Sequence, residues 1–181
     1  MTPLEVAALN GNRKDAMALY PVTIPIPSYA DWSVEGIMRD VRSKEANQQR
    51  KMKVRERFEE LKSKGVAAFR NKDYSGAIVW YSMASKEDPC DATVVSNRSL
   101  CWARMGHGER ALSDAVECIR LKPNWPKAHY RVGAAWNILG MFDRAAEAFQ
   151  GGLKLDPGNK ELQNALQEAV AARLKSINVN Q

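Results

Sequence analysis

No apolar run in the chain approaches the roughly 18 residues that a membrane-spanning helix needs. The N-terminus also lacks the basic-then-apolar order of a signal peptide. Cysteine is scarce: Cys90, Cys101 and Cys118 are odd in number and show no CxxC spacing, so neither a disulfide framework nor a zinc site is indicated. Reduced thiols are expected, with Cys118 at a small site between packed helices that Ala84 and Gly152 also occupy. The only two histidines, His107 and His129, have no cysteine or carboxylate at metal or triad spacing. Gly151-Gly152 is too short and wrongly placed for a phosphate loop. No catalytic residue, metal or cofactor is expected, and the simplest reading is a soluble protein of the cytoplasm or nucleus.

What is present is enough for a core. The 181 residues are 45% hydrophobic and 27% charged, which suits one or two small folded domains. The net charge of +6 is unevenly spread: from Arg42 to Arg57 seven Lys or Arg stand against Glu45 and Glu56. Such a stretch can meet RNA or an acidic surface, and an RNA contact there predicts steep salt dependence. A Gln- and Lys-rich helix with few aromatics is more simply a solvated lead-in, so nucleic acid is not the expected partner.

A spacing of 34 residues dominates the rest. Ala77, Ala111 and Ala145 lie one period apart, as do Pro89, Pro123 and Pro157, and Gly65, Ser99 and Gly133 mark a third, small position. This period predicts stacked helical hairpins over 58–91, 92–125 and 126–159. Each hairpin turns at Asn71-Lys72-Asp73, Gly106-His107-Gly108 or Gly140-Met141 and ends at its proline, which cannot continue a helix. Trp102 and Trp136 are expected at one bulky core position, with Tyr81 and Phe149 at another. Leu162, Ala165, Leu166, Ala169, Val170 and Leu174 trace a helical stripe suited to a capping helix over 160–176. The expected fold is all-α, and the concave groove made of the first helices is where function is expected.

The first twenty residues differ. Thr2-Pro3-Leu4, Ala7-Ala8 and Gly11 before Arg13–Tyr20 suit a short helical hairpin, with Pro3 in a first turn and Gly11 in a tight one. This segment resembles an ankyrin repeat. One such unit cannot bury its own face, so it is either a remnant of a longer array or it packs on something else, and the remnant is the expected reading. Pro21, Pro25 and Pro27 make 21–32 a linker. Ser33 can cap a basic lead-in helix over 33–57, which carries Ile37, Met38 and Val41 and runs on, with or without a break, into the first repeat.

The repeat positions resemble the tetratricopeptide repeat (TPR), and within it the carboxylate-clamp type of Hsp-organising-protein-like co-chaperones. The segments that carry the likeness are Glu60–Gly65, Ser96–Ser99 and Lys122–Arg131. The resemblance implies a right-handed superhelical stack and an adaptor that holds the Glu-Glu-Val-Asp tail of heat-shock chaperones. Carried over by position, the clamp is Lys62, Val66, Asn97, Lys127 and Arg131, with Leu100, Tyr130 and Ala134 as neighbouring contact surface. Val66 departs from the pattern, which usually has Asn there. The residues themselves agree: Lys62/Val66 and Lys127/Arg131 are each four apart and share helix faces, and three cations with an amide suit a terminal carboxylate. A generic groove for an internal peptide or partner helix is the alternative. Ankyrin and tetratricopeptide segments are joined in this way in plant proteins, and the ankyrin-like side is expected to hold a second protein.

Overall fold

The computed structural model describes residues 2–179. It divides into two compact units, 1–56 and 57–181, with the division inside one helix.

In the first unit, α1 (Pro3–Leu9) and α2 (Arg13–Leu19) form the expected hairpin. Thr2 caps α1 reciprocally: its hydroxyl accepts from the Glu5 N–H at 3.3 Å while the Glu5 carboxylate accepts from the Thr2 N–H at 2.6 Å. The hairpin buries Leu4, Ala7, Ala8 and Ala16 against Tyr29, Val34, Ile37, Met38 and Val41. The proline-rich stretch thus delivers a core residue; the Tyr29 hydroxyl donates to Glu5 Oε1 at 2.7 Å. The Tyr20 hydroxyl donates to the carbonyl of half-buried Trp32. Ser33 Oγ accepts from the Gly36 N–H at 2.9 Å and caps α3 (Val34–Arg70), which runs without a break into the first repeat.

The second unit continues with α4 (Tyr74–Glu87), α5 (Ala92–Arg104), α6 (Gly108–Leu121), α7 (Pro126–Ile138), α8 (Phe142–Leu155) and α9 (Lys160–Val179). The starts of α5, α7 and α9 are 34 residues apart, so α9 opens in the register of a fourth first helix. Asp88, Lys122 and Asp156 leave the helical region, with φ of −134°, −139° and −142°, because a residue before proline is pushed out of it. Each hairpin turn has one left-handed residue, Lys72 (φ 60°), Gly106 (76°) or Gly140 (71°). The next N–H closes the turn on a helix carbonyl: Asp73 to Ala68 at 3.0 Å, His107 to Trp102 at 2.9 Å, Met141 to Trp136 at 3.0 Å.

The small positions explain themselves by contact. A Cβ on Gly65 would stand 2.6 Å from the Tyr81 ring, and one on Gly133 would stand 2.4 Å from the Phe149 ring. In the middle repeat, one period from Tyr81, Ala115 replaces the aromatic, and Ser99 fits in place of glycine, donating to the Ala111 carbonyl at 2.8 Å. Two expectations need correction. Trp102 and Trp136 pack against the core but stay half-buried at its edge; an arginine covers each ring, with Arg110 Cζ 4.7 Å and Arg144 Cζ 4.8 Å from the ring centroid. The stripe of the capping helix is buried at Leu162, Ala165 and Ala169, but Val170 and Leu174 are 44% and 59% exposed, although the helix still meets the last repeat through Arg173 Nε and Asp143 Oδ1 at 2.7 Å.

Candidate functional site

Arg131, on α7, is the most unusual residue of the repeats. It is only 8% exposed, yet no carboxylate lies within 4.0 Å of it among the described residues. Its Nε donates to Ser96 Oγ on α5 at 3.3 Å, and its Cζ lies 5.7 Å from the Tyr130 ring centroid. Burial pushes the guanidinium downward, opposed by the fields of Tyr130 and of Glu161 on α9. A buried cation without an anionic partner is costly, and a bound anion offsets that cost.

Arg98, one residue past Asn97, shows the contrast. Its Nε and Nη2 donate to Asp114 at 2.8 and 2.7 Å, and Nη1 donates to Ser82 Oγ at 3.2 Å. That bidentate pair holds α5 on α6 and leaves Arg98 with no charge to offer a ligand.

Lys62, on α3, sits with Nζ 3.2 Å from Asp91 Oδ2 and 5.2 Å from the Phe58 ring centroid. Asp91 also caps α5 through the Thr93 and Val94 N–H groups at 2.7 and 2.9 Å. Burial would raise the Asp91 carboxyl, but these bonds and Lys62 outweigh it and hold it below the ordinary range. Lys127 is exposed at the start of α7, and together with Lys122 it flanks Trp125, with Nζ atoms 6.0 and 5.4 Å from the ring. Asn97 is half-buried on α5.

Val66, Leu100 and Ala134 fall one period apart on α3, α5 and α7, and all three are half-buried. They form an apolar row, and Val66 is its first member. Tyr130 is half-buried and tilted against Phe149, with centroids 5.7 Å apart. His129 packs on the Gly151-Gly152 backbone, where a Gly151 Cβ would meet its Nδ1 at 3.0 Å. Cys101 and Cys118 are buried, and burial raises their thiols to about 11 and about 12, so they stay protonated.

The structure therefore joins Arg131 to α5 through Ser96, and Lys62 to the start of α5 through Asp91. Sequence reasoning missed both partners. Asp91 carried a signal as a capping residue just ahead of α5; Ser96 carried only its place beside Asn97.

Residues 32–132, more than half of the chain, match the family described as "Serine/threonine-protein kinase BSK1-like, TPR repeats". The chain belongs to this tetratricopeptide family. Lys62, Asn97, Lys127 and Arg131 all lie inside the matched range, and α8 and α9 carry the repeat beyond it. The heat shock protein sti1 homolog of Schizosaccharomyces pombe is 43% identical over 118 residues, covering 65% of this chain and 20% of that protein. The match spans about a fifth of the length of most of these curated relatives, and 44% of one. Among solved structures, the first TPR of Spaghetti (RPAP3), bound to the HSP90 peptide SRMEEVD, has a TM-score of 0.62 at 28% identity, covering 66% of this chain and 94% of that one. The second TPR domain of human RPAP3, in complex with the HSP70 peptide SGPTIEEVD, has a TM-score of 0.61 at 28% identity, covering 64% and 97%.

Proposed function

We propose that the tetratricopeptide groove holds the free C-terminal carboxylate of an acidic tail of the Glu-Glu-Val-Asp type, and that the chain is a co-chaperone adaptor without catalysis. The observation that carries this reading is the buried Arg131 guanidinium, which has no carboxylate within 4.0 Å among the described residues. The peptides bound by the two similar structures support the reading, since both end in that sequence. Lys127 and Arg131 grip one carboxylate, Lys62 and Asn97 the other, and Leu100, Tyr130 and Ala134 supply contact surface. Val66 offers no amide. A charge-assisted hydrogen bond contributes about 1.5 to 3 kcal/mol, so binding is about tenfold or more weaker than with Asn there, and falls in the micromolar range.

The N-terminal hairpin is an ankyrin-repeat remnant that binds a second protein, making the whole a bridge that works in the cytoplasm or nucleus. Within the described residues no helix is long and apolar enough to cross a membrane.

Calorimetric titration of a Glu-Glu-Val-Asp peptide, free and amidated, tests the groove. The expected result is micromolar binding that is lost on amidation and in Arg131→Ala. Equal binding of both peptides would instead support a groove for internal segments.

A further inference from the structure

The basic stretch of α3 remains outside the groove chemistry. Every residue from Ala46 to Arg57 is exposed, so this length of helix has no core to hold it. Lys44 is tied to Asp40 at 2.7 Å, but Arg42, Arg50, Lys51, Lys53 and Arg55 have no carboxylate within 4.0 Å among the described residues. Lys51 and Arg55 are four apart, a like-charge pair that disfavours an isolated helix. A solvated lead-in would balance its charges; this one accumulates them.

The cations are not spread at random around the helix. At about 100° per residue, Arg42, Arg50 and Lys53 fall on one flank, and Lys44, Lys51 and Arg55 fall on roughly the opposite flank. Between them on one side lie the short, uncharged Ser43, Asn47 and Val54, and on the other side Glu45, Gln48, Met52 and Glu56. An anionic membrane would need an apolar face between the basic flanks, and the single Val54 does not make one. Stacking on single-stranded bases would need aromatic side chains, and 42–57 has none. An acidic polypeptide strand needs one basic flank only. Two basic flanks, a short neutral strip and an acidic back match a helix lying in the major groove of a B-form duplex, with phosphates on both walls. A-form RNA has too narrow a major groove to admit it.

From this we infer that residues 42–56 of α3 form a duplex-DNA contact that reads phosphates on both walls of the major groove. The inference is independent of the peptide groove.

The test is fluorescence anisotropy of a short labelled duplex with the full chain, between about 50 and 200 mM salt. Binding by about five cations gives a slope of log affinity against log salt near −4.5. Arg50→Glu/Lys53→Glu and Lys51→Glu/Arg55→Glu should each weaken binding at least tenfold, with the helical far-ultraviolet circular dichroism spectrum unchanged in both as evidence of a folded protein. Polyglutamate or anionic phosphatidylserine vesicles bound as tightly as the duplex would overturn the inference. So would a loss confined to one flank, or no binding of the duplex at the lowest salt.

Discussion

Lys62 Nζ and Asp91 Oδ2 lie 3.2 Å apart, so one cation of the proposed clamp is already held by a carboxylate of the chain itself. Lys62 is partly exposed, and such a pair is worth about 0.5 to 1 kcal/mol. Asp91→Asn keeps a good helix cap while removing the competing charge. Affinity for a Glu-Glu-Val-Asp peptide should rise about two- to fivefold in calorimetry. An unchanged affinity would mean that Lys62 does not meet the ligand.

The same carboxylate sets a pH dependence. Asp91 is held below its ordinary pKa in the folded state, so the stability it contributes is present above the unfolded value of about 3.9 and is lost as pH falls through the folded one. Chemical denaturation of the wild type should therefore show a loss beginning below about pH 4, and Asp91→Asn should make that loss shallower.

Val66 is the departure from the clamp pattern, and it is also the first member of the apolar row with Leu100 and Ala134. Val66→Asn restores the missing amide at a half-buried site. Peptide affinity should increase about tenfold or more, and the increase should vanish for an amidated peptide.

Gly133 has no room for a side chain. With the Phe149 ring 2.4 Å from where a Cβ would stand, Gly133→Ala should destabilise the repeats by about 1 to 3 kcal/mol, read as a lower denaturation midpoint. Shrinking the ring in Gly133→Ala/Phe149→Leu should recover part of the loss relative to the two single changes added together.

Lys72 occupies a turn position that is glycine in the other two repeats, at a φ of 60°. The left-handed conformation costs a residue with a Cβ about 1 to 2 kcal/mol, and glycine's greater unfolded-state freedom offsets part of the gain. Lys72→Gly should raise stability by about 0.5 to 1 kcal/mol. A midpoint that falls would mean that the lysine makes a compensating contact.

The sequence by itself determined the repeats: alanine, proline and small-residue positions recurring every 34 residues define the hairpins, their turns and their ends. These features are local, because proline, glycine and helical spacing act on the backbone within a turn or two. It also placed Lys62, Asn97, Lys127 and Arg131 on first helices, since the 34-residue period assigns each stretch to a first or a second helix. Only the tertiary structure decided what those side chains meet. Arg131 is enclosed against Ser96, 35 residues earlier, and Lys62 is held by Asp91, 29 residues later. Trp102 and Trp136 lie at the edge of the core under arginines, and the N-terminal hairpin rests on residues 29–41. Such pairings depend on how closely separate helices stack, and that distance is set by side-chain volumes far apart in the chain, not by any period within it.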